Sequence, residues 1–332
     1  MVFQLTNMNI NKRVISDLRR EIVLFIVYPF LELTIFILRF VPKKWRNQLA
    51  VFVGNLSYKS NKKTRDYTLK HLTIGYGDIK SPEEIDSMAR EVLININKSV
   101  IDYFATAHIT NRKKFFKLID VVGEEHLKKA YEQKRGVICL IPHLSSWEFS
   151  AVTPPMLGYK TCGASKNVKG FLLQHMMVRF RERRGMRNIS REGSYQKLVT
   201  ALQNGECLII MIDQDTKVKG LFVDFYGKKA YTPMGVARLA LETDAVVLPM
   251  ATTRITDSNY RFTIYPELKT IRTGDTEKDL YDNTQLETDA MEKIIRESPT
   301  QWVWMHRRWS TTPESLKNYL ERRAINKQNK AK

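Results

Sequence analysis

Cysteine, acidic residues and long apolar runs are all scarce in this chain, and each scarcity narrows what it does. Only Cys139, Cys162 and Cys207 occur in 332 residues. No pair has the spacing of a metal clip, so no disulfide framework or zinc module is encoded and a reducing compartment fits best. Cys139 and Cys207 lie inside apolar strand-like runs, where cysteine behaves as a small hydrophobe. Asp and Glu number 35 against 54 Lys and Arg, a formal net charge of +19. So large an excess points to an anionic partner: nucleic acid, an acidic membrane surface, an acidic protein or a phosphorylated substrate. There is no internal repeat and no low-complexity segment, which sets aside solenoids and disordered arrays.

One long apolar run stands out. In residues 22–41, 15 of 20 positions are Ile, Leu, Val or Phe. As a helix the run is about 30 Å long, the thickness of a bilayer core. It is too long for the core of a signal peptide, and no small-residue cleavage site follows. Glu32 at its centre costs about 3 kcal/mol on insertion scales, while the apolar residues return about 5–9 kcal/mol, so insertion is allowed. Arg13, Arg19 and Arg20 precede the run and Lys43, Lys44 and Arg46 follow it. With both flanks basic, the pattern favours a helix that dips into or lies along the cytoplasmic face of a membrane over a plain span. A buried core helix is the bland alternative.

Residues 45–110 read as helical. Ser81 and Glu84 form a capping box around Pro82, and Ile85, Met88, Val92, Ile96 and Tyr103 keep helical spacing. From residue 115 the pattern alternates: strands at 118–122, 137–141, 159–163, 206–212, 246–250 and 260–265, the last as a hairpin partner; helices at 123–133, 171–184, 195–204, 233–242 and 282–297. The expected fold is α/β, a mostly parallel central sheet flanked by helices, with an N-terminal hydrophobic membrane-associated helix. The expected division is an anchor over 1–44, a main domain over 45–312 (helical to 110, α/β from 115) and a basic tail over 313–332, fraying from 317.

The most informative stretch is 136–149. A buried strand stops at Pro142, His143 follows it, Ser145 and Ser146 are candidate helix N-caps, and a helix opens at Trp147. Functional groups in open α/β sheets gather at the carboxyl ends of strands. The turn lets His143 and Glu148 fold back toward each other, and a carboxylate on one imidazole nitrogen leaves the other free to take a proton. The bland reading is a surface histidine with an acid in the first helical turn, where acids are favoured anyway. Arg179, Arg181, Arg183, Arg184, Arg187 and Arg191 fall within 13 residues, a phosphate- or carboxylate-binding cluster or simply a solvated face. Asp213 and Asp215 follow a strand, where they suit acid/base work, metal binding or a plain turn; local sequence offers no further metal ligands. Residues 302–309 mix tryptophan, histidine and arginine, which suits a lipid or anion interface, stacked single-stranded nucleic acid, or a structural lid.

Taken in order, His143-Leu-Ser-Ser-Trp-Glu148, the Arg181–Arg191 segment, the Asp213-Gln-Asp215 turn, the 222–240 segment and the Trp-x-Trp-x-His-Arg-Arg-Trp309 segment resemble the glycerolipid and lysophospholipid acyltransferases, and among them the late (secondary) acyltransferases of lipid A biosynthesis. The resemblance covers roughly residues 20–312. The Phe-Pro-Glu-Gly motif of the phospholipid-making branch is absent, which argues against a glycerol-phosphate acceptor. The resemblance implies a glycerolipid acyltransferase-like fold, with His143 as general base and Glu148 as its orienter. It further implies an essential arginine and an essential acid, Arg183 and Asp215, with Arg181 and Asp213 as near alternatives. No cofactor or metal is implied, since acyl carrier protein or acyl-CoA enters as co-substrate. The implied partners are an acidic acyl carrier protein, anionic membrane lipid and a glycolipid acceptor in lipopolysaccharide biosynthesis, with no nucleic acid. The implied location is the bacterial inner membrane, catalytic domain on the cytoplasmic face. The same chemistry on an ornithine-type lipid or a phosphatidylinositol mannoside is the alternative; a non-catalytic basic membrane- or nucleic-acid-binding protein is the alternative of another class.

Overall fold

The computed structural model describes residues 12–165, 170–190, 193–216, 218–257 and 259–331. A helical block comes first: α1 (Lys12–Leu38), α2 (Lys43–Ser60), α3 (Lys62–Tyr76), α4 (Pro82–Thr106) and the single turn α5 (Arg112–Phe115). The capping box of α4 forms as expected, with Ser81 Oγ accepting from the Glu84 N–H and Glu84 Oε2 accepting from the Ser81 N–H. The alternating part follows: β1 (Ile119–Val122), α6 (Glu124–Glu132), β2 (Val137–Leu140), α7 (Trp147–Leu157), β3 (Thr161–Ser165), α8 (Phe171–Glu182), β4 (Met186–Ser190), α9 (Tyr195–Gln203) and β5 (Cys207–Ile210). A two-stranded hairpin, β6 (Gly220–Phe225) with β7 (Lys228–Pro233), precedes α10 (Gly235–Thr243), β8 (Val246–Arg254), β9 (Tyr260–Ile264), α11 (Thr276–Glu297) and α12 (Pro313–Ala331).

Seven strands form one sheet in the order β1-β9-β8-β2-β5-β3-β4. Every pairing is parallel except β8 with β9, so β1 and β9 run against the other five. The fold is thus the expected mostly parallel sheet, and β9 is the expected hairpin partner. The alternation of side chains along each strand splits the core in two. Val137, Cys139 and Ile141 point to the face covered by α6, α7 and α8, where Leu127, Phe149, Val152, Met176 and Phe180 are buried. Ile138 and Leu140 point to the face covered by α9, α10 and α11, with Leu198, Leu202, Leu239 and Met291. A third cluster joins α3 and α4 to the hairpin and to Trp302 and Trp304. All three cysteines are buried free thiols, and burial pushes Cys162 up to about 12.

Two expectations change, and a third gains detail. The residues expected to fray form α12, started by Pro313 and by reciprocal bonds between Thr312 and Ser315. Of the alternatives for the 302–309 segment the structural one fits: Trp302 and Trp304 are wholly buried, and Arg308 donates to the Tyr231 carbonyl and Thr232 Oγ1 inside the core. Residues 22–38 of the apolar run lie within α1, which packs one side on the body through Tyr28, Leu31 and Ile35. Its residues Glu21–Leu38 are long and apolar enough to cross a membrane, with 6% of them buried. Glu32, the acid at its centre, accepts from Tyr28 at 2.6 Å and is ion-paired with Arg179 of α8, so the charge that opposes insertion faces the protein.

Candidate active site

β2 and β5 are neighbours in parallel register, Leu140 opposite Ile210. His143 and Asp213 each lie three residues past those partners, so the register itself brings them together. His143 Nδ1 is 2.7 Å from Asp213 Oδ1, and Asp213 Oδ2 accepts from the His143 backbone N–H at 2.6 Å. Trp302 Nε1–H donates to the same oxygen at 2.8 Å. An ionised carboxylate only accepts, so Nδ1 carries a hydrogen, and in the neutral form of the ring Nε2 is the nitrogen left to accept. Burial would raise the Asp213 carboxyl, but the His143 charge and the hydrogen bonds from His143 and Trp302 outweigh it and hold the pKa down from 3.8 to about 2.

The sign of this shift gives a stability prediction. A depressed carboxyl contributes stability that is present above its unfolded value and is lost as pH falls through the folded one. Between pH 3.8 and about 2, Asp213→Asn should therefore lose less stability on acidification than the parent chain. Denaturant melts across that window check it.

The bend after β2 is strained. Ser145 sits in the left-handed region at φ 48°, unusual for a residue with a Cβ, and its N–H donates to the Gln301 carbonyl at 2.7 Å. Ser146 is the N-cap residue of α7 but caps with no side-chain hydrogen bond, contrary to its expected role. Trp147 stands beside the imidazole, ring centroids 5.6 Å apart, while Phe149 is core packing.

Glu148 is not hydrogen-bonded to His143. It points from the first turn of α7 to Arg181, whose Nε and Nη2 donate to its two oxygens at 2.9 and 2.6 Å. Burial works against the Arg181 charge, but Glu148 prevails and raises its pKa. This fork is nearly dry, its side chains 17% and 11% exposed. Breaking a buried pair from one side leaves a buried charge. Glu148→Ala is expected to cost about 3–5 kcal/mol in denaturant unfolding, with most of it recovered in Glu148→Ala/Arg181→Met.

The other predicted residues scatter. Arg183 is exposed at the end of α8 and does not line the cavity described below. Asp215 accepts from the Thr311 N–H and Oγ1 at 2.6 and 2.7 Å, tying the strand-end loop to the segment before α12. Arg184 is buried on the Thr106 and Ile109 carbonyls, Arg187 pairs with Glu206, and Arg191 lies outside the described residues. The arginine run is therefore mostly internal pairing. His306 was not singled out; its ring lies 5.9 Å from His143, and burial, helped by the His143 charge, lowers its pKa to about 4. Among the described residues no group of three His, Cys, Asp or Glu is placed to hold a metal.

His143, Trp147, Glu148 and Arg181 line a cavity of about 460 Å³. Its wall continues through Ala151 of α7 and the strand residues Gly163, Ile209 and Met186, and outward to Lys219 and Arg238. Met186 pairs with Thr161, two residues below Gly163, so it is the deepest strand residue of the lining. A Cβ on Gly163 would come within 2.0 Å of Met186 Cε: the methionine fills the space that the glycine leaves. The arrangement offers an oriented imidazole at the mouth of an apolar slot.

Residues 17–311 match the model of the bacterial lipid A biosynthesis acyltransferase family. Similar curated proteins include the phosphatidylinositol mannoside acyltransferase of Mycolicibacterium smegmatis, 26% identical over 58% of this chain and 62% of that protein. The lipid A biosynthesis palmitoleoyltransferase of Escherichia coli K12 is 27% identical over 80% of this chain and 85% of that protein, and the lipid A biosynthesis acyltransferase of Haemophilus influenzae 22% over 81% and 83%. The chain spans somewhat under two thirds of the length of the mannoside acyltransferases it matches. With a family match over nearly its whole length and a histidine held at the strand end, the chain belongs to the bacterial lipid A biosynthesis acyltransferase family.

Proposed function

We propose that this chain moves a fatty acyl group from a thioester, on acyl carrier protein or coenzyme A, to a hydroxyl of a lipid A precursor. The observation that carries the reading is His143, its Nδ1 held on Asp213 Oδ1, in the lining of the apolar cavity. The acceptor hydroxyl gives its proton to Nε2 as its oxygen attacks the thioester carbonyl. The tetrahedral centre then collapses, the C–S bond breaks, and the departing sulfur takes the proton back from the imidazolium. Asp213 stabilises that imidazolium throughout. Glu148 takes a different part from the one expected: by anchoring Arg181 it fixes a cation on the cavity wall near the reacting atoms. Lys219 and Arg238 are the wall cations we assign to phosphate on donor or acceptor, in place of Arg183. The glycerolipid acyltransferase-like fold expected from the family, α1 as a membrane-associated helix, and an inner-membrane site with the catalytic part facing the cytoplasm complete the reading.

The acyl chain runs down the slot, and Met186 closes it. Met186→Ala is expected to shift the transferred chains toward longer lengths, and Gly163→Ala, by pushing the Met186 side chain into the slot, toward shorter ones. Mass spectrometry of products from mixed-length thioesters reads both.

The test of the reading is purified chain with acyl-carrier thioester and tetra-acylated lipid A precursor, followed by mass. One acyl increment on the precursor, absent without enzyme, is expected; thioester untouched with every glycolipid offered contradicts it. A second acceptor has a specific basis, because two of the similar mannoside acyltransferases match at 25–26% identity. Phosphatidylinositol mannoside in the same assay separates the two.

A further inference from the structure

α2 is a helix of two opposed faces. Its inner face carries Arg46, Asn47, Ala50 and Gly54, all buried against the body. Gly54 is so close to α4 that a Cβ would stand 2.6 Å from the Ile94 Cα, which pins the helix and fixes which side looks out. The outer face carries Trp45, Leu49, Phe52 and Leu56, at 63%, 43%, 65% and 53% exposure. Their spacing of four, three and four residues puts them in one stripe along the helix. Isolated exposed apolar residues need no explanation, but a continuous stripe of large ones does.

Two features identify what covers it. The first is charge: α2 contains no Asp or Glu, while Lys43, Lys44 and Lys59 lie at its two ends. A cation-flanked, acid-free helix with a Trp- and Phe-bearing stripe is the pattern of a helix lying in the headgroup region of an anionic bilayer. The second is continuity. Phe30, Leu33, Phe36 and Ile37 of α1 are exposed, Phe40 in the connecting turn is 72% exposed, and exposed Trp45 stands in the first turn of α2, five residues on. The apolar surface therefore does not end where the membrane-length helix ends.

We propose that α2 is a second membrane-contacting element, lying in the plane of an anionic bilayer with Trp45, Leu49, Phe52 and Leu56 in the interface. This does not depend on the acyl-transfer reading, and it goes beyond the role given to α1. A helix clamped to α4 and held at the surface fixes the tilt of the whole domain, where a single helix anchor leaves it free to rotate.

Trp45 is its own probe. Of the five tryptophans, Trp302 and Trp304 are buried, Trp147 and Trp309 partly so, and Trp45 is exposed. The full chain is reconstituted in phosphatidylethanolamine–phosphatidylglycerol vesicles whose acyl chains carry bromine at shallow or deep positions. Bromine is expected to quench a component of the emission, shallow more than deep; Trp45→Phe should abolish that component, and Phe52→Ser/Leu56→Ser should diminish it. Quenching unchanged in Trp45→Phe, or Trp45 emission still open to aqueous iodide in the vesicles, overturns the proposal. Concentration-dependent shielding of Trp45 with no bromine quenching also overturns it and assigns the stripe to a second copy of the chain.

Discussion

Asp213→Asn is expected to lower acyl transfer by about 10⁴-fold while leaving the chain folded, the scale of such a change where an aspartate sets the tautomer of a catalytic imidazole. Asp213 accepts three hydrogen bonds: from His143 Nδ1–H on one oxygen, and from the His143 backbone N–H and Trp302 Nε1–H on the other. Asparagine has one acceptor oxygen and one amino group. The oxygen satisfies the pair of fixed donors, so the amino group faces His143 Nδ1. The imidazole then accepts at Nδ1 and carries its hydrogen on Nε2, where the base has to be. The loss should fall on kcat more than on KM, because the cavity lining is unchanged.

His143→Ala removes the proposed base altogether and is expected to cost at least about 10²–10⁴-fold in kcat. His306, the nearest other imidazole, does not substitute: no hydrogen bond from its ring to a carboxylate is present among the described residues, and it lies outside the cavity lining. Because Asp213 acts through His143, the two substitutions should not add. His143→Ala/Asp213→Asn is expected to be no slower than His143→Ala, whereas independent roles give the product of the two losses. Steady-state kinetics on the three variants distinguish these outcomes.

His143 was legible because its signal is local: a run of apolar residues, a proline that stops the strand, and a histidine at once. Its partner was not. Glu148 stands five residues away and looks like the natural orienter, yet the direction of α7 delivers it to Arg181. Asp213 lies 70 residues away, and only the adjacency of β2 and β5 makes it a neighbour. Strand order is a long-range property; had it been known, the equal offset of His143 and Asp213 from paired strand ends would have named the pair. The same contrast runs through the fold. β2 and β5 read clearly because they are central and apolar throughout, whereas β4 was hidden inside the arginine run, being an edge strand with Arg187 and Ser190 exposed. The tryptophans at 302–309 stayed open between alternatives for a related reason: composition cannot tell an aromatic that meets lipid from one that donates to a buried carboxylate, and Trp302 does the latter.

The tautomer of His143 is the centre of this account, and nitrogen NMR on imidazole-labelled protein measures it directly. In the neutral form of the ring the His143 Nδ1 should carry the hydrogen and Nε2 should show the shift of a bare ring nitrogen, with the two signals exchanged in Asp213→Asn. A parent protein with the hydrogen on Nε2, or an Asp213→Asn variant with the parent's pattern, would contradict it.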